Sequence, residues 1–539
     1  MVAATIVALG VRLFTLSRPG FLTQSTEYDD GVYLGAAIRL TQGVMPYKDF
    51  AFVQPPGILL LMSPVALFAR ATSTVAGLAL ARILTVLASV ACVPLAGNLV
   101  RFRGTLVTAL TCFILAIYPS DIATAHTLLL EPWMNLLVLI AANLAFSGGR
   151  LAPPVARLAW AGVLIGVAGV VKFWSGAPAV VLLVIVVLGC RSAARRNEPG
   201  AWRRLIAYLG GLVAGFVLPL LPFAVSAPGT FYRSTVVYQA ARVGTYTPLS
   251  LRLAHITGVI DLLNYWGTLT LTAGSNSVFG QAVDADTTPT TPDAVPWVAF
   301  GLLLAIVAGG YFLARRSLTA VEWFVLATCV AAMAAILYYS AFFYHYPAFP
   351  APWLAIVAAV SLAALIERGA AVWPGLPVRQ LAVGGVGLVL VFACLLQVSE
   401  VQGLSTPKRA AEISSLIPAG SCVVTDEVAL VISANRFESS KPGCPAVIDS
   451  LATTLVLAHG QSVQGGANYN RAAVAGWKAI LLKAQYVWLS PNYRRRLPFN
   501  FGTAQWKWFT GNFRQIAPRH HGGQLNWIPG IGQLYVRRG

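Results

Sequence analysis

The run SGAPAVVLLVIVVLGC at residues 175–190 carries no charged side chain, and RSAARRNEPGAWRR follows it at once over 191–204. A continuous apolar run reads as a helix in hydrocarbon, where about 20 residues cross the membrane. A membrane barrel would alternate instead. The five arginines that follow (Arg191, Arg195, Arg196, Arg203 and Arg204) hold their loop on the cytoplasmic side. The same reading applied along the chain gives about eleven spans: 2–16, 74–100, 104–120, 128–147, 158–172, 175–190, 205–225, 295–314, 320–340, 348–366 and 380–397. The opening run Val2–Leu16 is short and contains Arg12, yet it lacks a basic leader and so reads as a first span. Pro55, Pro56 and Pro64 interrupt the apolar stretch 57–70, which suits a helix lying on the membrane or re-entering it.

Composition excludes the alternatives. Of 539 residues, 57% are hydrophobic and 11% charged, against about 25% charged in a soluble domain. That rules out a soluble enzyme, a disordered chain and a disulfide-stapled miniprotein. The net charge of +19 would suggest nucleic acid in a soluble protein. Here it is absorbed by basic cytoplasmic loops. With the N-terminus inside, Arg101 and Arg103, Arg150 and Arg157, and Arg315 and Arg316 all fall in the cytoplasm together with the loop 191–204. The segments 17–73, 226–294 (with its Thr/Pro stretch Asp284–Asp293) and the tail from about 398 are then extracytoplasmic. The chain divides by composition into a membrane domain, 1–400, and a small α/β domain, 401–539. In the latter, Ser421–Thr425 reads as a strand and Lys408–Leu416 as a helix. Cys92, Cys112, Cys190, Cys329 and Cys394 lie in or beside spans. Cys422 and Cys444 lie in the outer tail, where a disulfide is expected.

Acidic residues at membrane level are expensive and therefore candidates for chemistry. The cluster Glu27-Tyr28-Asp29-Asp30-Gly31-Val32-Tyr33 follows the first span. Its carboxylates could take a proton from a sugar hydroxyl or hold a divalent ion. Alternatively, Asp29 or Asp30 simply caps a helix Gly31–Leu40. Glu131 in LLLEPW lies at the outer end of the fourth span, either as a helix-starting acid or as a partner for Asp29 across space. Lys172 ends a span in GVVKFW and either snorkels to headgroups or binds an anion. Phe343-Tyr344-His345-Tyr346-Pro347, at the outer end of the ninth span, offers hydrogen-bond donors with no carboxylate to neutralise them. Together these donors suit a lipid phosphate. Asp49, in the stiff link PYKDF, reads as architectural. No phosphate-binding loop, nucleotide fingerprint or His/Cys metal spacing occurs. Any group transfer therefore needs a donor already in the membrane, and no cofactor is required beyond an optional divalent metal.

The pattern resembles the GT-C superfamily of integral-membrane glycosyltransferases, in particular the protein mannosyltransferase and aminoarabinose transferase branch. The resemblance rests on Asp29, Asp30 and Tyr33 just past the first span, on Arg12 within it, on Lys172 at a span end, and on His345-Tyr346-Pro347-Ala348-Phe349-Pro350 before another. It covers about residues 1–400, and the tail resembles the extracytoplasmic domains of actinobacterial members. Glu131 departs from it, since many members have Asp there. The resemblance implies a plasma-membrane enzyme working on the outer face. A polyprenyl-phosphate-linked sugar would be the donor, with mannose expected first and arabinofuranose second. The acceptor would be a hydroxyl of a cell-envelope glycan, lipid or protein, and transfer would be inverting. Asp29 would be the base, with Asp30 and Glu131 in the same catalytic group. Lys172 and His345, with Tyr346, would hold the leaving phosphate. The rival reading is a lipid or solute transporter without enzymatic activity. It would show paired inverted repeats with broken spans in both halves, and the sequence shows no convincing repeat.

Overall fold

A computed structural model of the chain describes residues 1–151, 154–240, 247–259, 294–315, 318–339, 342–402, 404, 413–460, 470–490, 503–517 and 532–538. The Thr/Pro stretch 284–293, Arg316 and most of the expected helix 408–416 fall outside them. In chain order, helices α1 (Val2–Leu16), α2 (Tyr28–Thr41), α3 (Gly57–Ala71) and α4 (Thr74–Leu99) come first. They are followed by α5 (Thr105–Ala116), α6 (Pro119–Ala125) and α7 (Leu130–Ala145). A small hairpin, β1 (Phe146–Ser147) and β2 (Arg150–Leu151), leads to α8 (Val155–Val171), α9 (Gly176–Arg195) and α10 (Arg203–Ser226). Short helical turns occupy 228–240. Then come α11 (Leu249–Thr257), α12 (Ala294–Ala314), α13 (Ala320–Tyr338), α14 (Ala351–Val372) and α15 (Val378–Gln402). The tail holds β3 (Val423–Thr425), α16 (Val428–Ser433), α17 (Ser450–Leu457), α18 (Arg471–Leu481), β4 (Tyr486–Leu489), α19 (Thr503–Asn512), β5 (Phe513–Ala517) and β6 (Gln533–Arg537).

Among the described residues, seven helices are long and apolar enough to cross a membrane, or eight if the bent pair α5 and α6 is one span. The shorter apolar helices α1, α7 and α8 occupy further expected spans. The expected span 104–120 is not straight. It bends by 54° between α5 and α6. Pro119 sits at the first position of α6 and forces Tyr118 out of the helical region, to φ −66° and ψ 121°.

Two compact units are present. The first comprises Met1–Thr15, Leu84–Pro219 and Gly244–Gly403. Within it α7 packs on α8, and α14 packs on both α5 and α12. Glycines let α8 and α10 approach backbone to backbone. A Cβ on Gly166 would lie 2.5 Å from the Leu212 carbonyl oxygen, and one on Gly215 would lie 2.2 Å from that of Val163. Small residues four apart are the usual device for close helix contact where lipid removes the hydrophobic drive. Three elements are tied together by a buried ion pair between Arg12 on α1 and Asp121 on α6. Ser89 on α4 accepts from Arg12 Nε at 2.8 Å and donates to Asp121 at 2.8 Å.

The second unit comprises Leu16–Ile83, Leu220–Val243 and Leu404–Gly539. The outer segment that composition groups with the membrane domain thus belongs to the same compact body as the tail. The tail sheet has the order β3-β4-β6-β5. Its β3–β4 pair is parallel and its other pairs are antiparallel. Ala473, Trp477 and Leu481 share one face of α18 at i, i+4, i+8 spacing. Trp477 and Leu481 are buried in a core with Val487, Phe509, Phe513 and Tyr535. Cys422 and Cys444 form a disulfide with Cα atoms 5.5 Å apart. Helix α2 packs on α3 and on α16. The contact with α16 requires Gly31, whose Cβ would lie 2.1 Å from the Ala429 nitrogen.

Candidate functional site

Two groups of the candidate residues form, one in each unit. In the second unit, the acids that follow the first span sit in the first turn of α2. That helix begins at Tyr28 rather than Gly31, and Glu27 is its N-cap, accepting from the Tyr28 backbone N–H. Asp29 and Asp30 are therefore not the cap. Both still gain from the helix dipole, but their surroundings differ. Asp30 is fully buried, and Arg82 Nη2 donates to it at 2.6 Å. Arg82 also donates to the Phe21 carbonyl at 2.6 Å and to Thr26 Oγ1 at 2.7 Å. Asp29 is half-buried and accepts from Tyr33 Oη at 3.3 Å, one helical turn on.

Asp29 lines a depression with three sides, built from four stretches of the unit. Tyr28, Asp29, Val32 and Tyr33 of α2 form one side. Val53, Gln54, Tyr238 and Gln239 form the second, with Gln239 Nε2 donating to the Val53 carbonyl at 2.8 Å. Asp449, Leu451, Ala452 and Leu455 of the tail form the third. Asp449 caps α17 by accepting from Ala452 N–H at 2.8 Å, and Tyr28 Oη donates to it at 2.9 Å. The tail contribution was not legible in the sequence. Only the pattern Asp449-Ser450 before a short apolar run marked a helix start.

In the first unit, Glu131, Lys172 and His345 converge. Glu131 is in the first turn of α7. Lys172 is extended at the C-cap of α8, and His345 precedes a 3₁₀ turn, Tyr346–Ala348. Lys172 Nζ and His345 Nδ1 both lie against Glu131 Oε1, at 2.5 and 2.9 Å. The ammonium is also 3.9 Å from the Trp174 ring centre and 4.7 Å from that of Tyr346. Trp174 and Tyr346 meet edge to face at 4.5 Å. Asn135 Nδ2 holds the 3₁₀ turn by donating to the Ala348 carbonyl at 2.7 Å. This corrects two expectations. The donors around His345 do face a carboxylate, since Glu131 spends one oxygen on both Lys172 and His345. Lys172 does not snorkel; it is buried. Among the described residues, Glu131 Oε2 is buried without a hydrogen-bond partner.

Sequence reading also missed two buried cations, Arg82 and Arg252. Arg252 on α11 donates to the carbonyls of Leu337 and Tyr339, at 3.0 and 2.6 Å, at the end of α13. Among the described residues, no group of three or more His, Cys, Asp or Glu side chains could hold a metal ion.

Comparison with solved structures finds extended likeness. ArnT from Cupriavidus metallidurans bound to undecaprenyl phosphate matches with a TM-score of 0.55 and 14% identity, covering 99% of this chain and 97% of that one. ArnT in the apo state gives a TM-score of 0.56 at 13% identity over the same shares. The Archaeoglobus fulgidus oligosaccharyltransferase tethered with an acceptor peptide gives 0.52 at 13% identity, covering 96% of this chain and 73% of that one. The likeness is one of fold. No protein-family model and no curated protein sequence matches the chain. The expected fold class, a polytopic helical membrane protein with a small α/β region in its tail, holds, and the fold is shared with these structures over nearly the whole length.

Proposed function

We propose that the protein is a plasma-membrane glycosyltransferase that moves a sugar from a polyprenyl-phosphate carrier to an acceptor hydroxyl on the extracytoplasmic face. The observation that carries this reading is Asp29, a half-buried carboxylate steadied by Tyr33 at the edge of a depression. It stands in a fold shared with an ArnT bound to undecaprenyl phosphate. Asp29 takes the proton of the acceptor hydroxyl as its oxygen attacks the anomeric carbon. The bond from that carbon to the phosphate oxygen breaks, and the electron pair leaves with polyprenyl phosphate. Configuration inverts. Asp30, held by Arg82, positions this turn of α2 rather than taking the proton.

Lys172 and His345, with Tyr346 beside them, supply the positive charge and donors for the leaving phosphate. Glu131 is then a positioning residue that aims both. The outer location rests on the arginine-rich loops. Mannose is the first sugar to test and arabinofuranose the second. Purified protein in vesicles is incubated with labelled polyprenyl-phosphate mannose, arabinofuranose and glucose in the presence of cell-envelope extract. Label moving from one carrier onto extract material, with the product anomer inverted, supports the proposal. No transfer from any carrier overturns it.

A further inference from the structure

We infer that the depression beside Asp29 is an acceptor subsite for an uncharged glycan, and that the tail segment 449–455 supplies one of its walls. This rests on the transferase reading and specifies the acceptor class. The first argument is charge. Among the described residues, the acidic side chains of the lining are Asp29 and Asp449, and no Lys, Arg or His lines it. Arg82 in the same unit is committed to Asp30 at 2.6 Å. A phosphorylated or carboxylated acceptor would bring a like charge against two carboxylates, a juxtaposition that selects against it.

The second argument is the mixture of surfaces. Val53, Leu455 and the rings of Tyr33 and Tyr238 offer apolar area, and the two carboxylates offer acceptors. A sugar ring presents both faces at once: C–H groups for the former and hydroxyls for the latter. The third argument is that the wall is built rather than incidental. Asp449 is fixed by the Ala452 N–H and the Tyr28 hydroxyl, at 2.8 and 2.9 Å. Tyr28 Oη in turn accepts from Ser450 N–H at 2.9 Å. This ties the start of α17 to the same turn of α2 that carries Asp29.

The test reads binding without any donor. Saturation-transfer NMR on the full-length protein in detergent uses mannobiose, arabinobiose and maltose as neutral probes, with mannose 6-phosphate and glucosamine as charged ones. At least one neutral disaccharide should bind roughly tenfold better than mannose 6-phosphate. Leu455→Trp and, separately, Leu451→Trp should abolish that binding by filling the depression. Asp29→Asn combined with Asp449→Asn should admit mannose 6-phosphate, since Asn caps α17 as Asp does. Three results would each overturn the inference. They are equal binding of mannose 6-phosphate by the unaltered protein, preferred binding of glucosamine, and unchanged neutral binding in both folded Trp variants. If neutral disaccharides bind while no labelled carrier donates, the transferase reading fails and the subsite stands. If transfer proceeds and phosphorylated acceptors compete equally, the subsite fails alone.

Discussion

Two neighbouring aspartates on α2 do different work because only one is enclosed. Asp30 answers to Arg82, while Asp29 keeps an accessible face. General-base catalysis contributes about 10²–10⁴-fold, so Asp29→Asn should lose turnover by roughly that factor. Donor binding should survive. Asp30→Asn should instead lower folding stability, because a buried arginine left without its partner costs about 3–5 kcal/mol. Steady-state transfer beside thermal unfolding of the same preparations separates the two. At Lys172, loss of the ammonium leaves Glu131 facing only His345. Lys172→Ala should therefore weaken donor use and also destabilise the protein. Lys172→Arg should recover stability better than activity, because the planar fork cannot repeat an ammonium seated 3.9 Å over Trp174. Donor KM measured against melting temperature decides this. These roles were partly legible in the sequence. Asp29, Glu131, Lys172 and His345 stood out as polar groups at or just past span ends. Asp449 did not, because nothing local marks a capping residue as the wall of a depression formed 421 positions from its partner Tyr28.

Helices α8 and α10 show how closely two elements can meet when neither presents a side chain. Their contact runs through Gly162 and Gly166 on one and Gly211 and Gly215 on the other. Gly166→Leu should force the pair apart and cost about 1–3 kcal/mol or more of stability. Gly210→Leu, where nothing lies within 4 Å, should be close to neutral. Unfolding curves in the same detergent compare them directly. The disulfide belongs to this scale too. It closes a loop of 22 residues beside β3. The chain-entropy estimate for such a loop is about 3 kcal/mol. Alkylation of the unreduced, denatured chain should spare Cys422 and Cys444, and dithiothreitol should lower the melting temperature of the tail. Element positions were legible from apolar run length. The bend between α5 and α6 was legible only through Pro119, since composition continues unbroken across it. The glycine seam was not legible, because glycine spacing alone does not say which helix faces which.

At the scale of the whole molecule, arginine distribution gives an orientation that one experiment checks. A periplasmic-type phosphatase fused after Gly539 should be active, and a reporter that works only in the cytoplasm should stay silent there. The opposite pattern would move Asp29 to the wrong face of the membrane. Composition separated the apolar helices from the tail but not the two compact units, because run length and charge do not say what the segment 16–83 packs against. Its membership is decided by what it packs against, such as Gly31 on Ala429. That discontinuity has a consequence for biogenesis. The helix that carries Asp29 leaves the ribosome early, and its packing partner α16 is encoded nearly 400 residues later. At roughly 5–20 residues per second, α2 waits on the order of tens of seconds for the surface that completes it. During that interval a turn rich in carboxylates has to be kept from misassembly while its contact with α16 is still missing. A nascent chain stalled before residue 404 would thus be threaded through the membrane yet lack the tail half of its second unit. Such a chain is an obvious client for a membrane chaperone or quality-control protease.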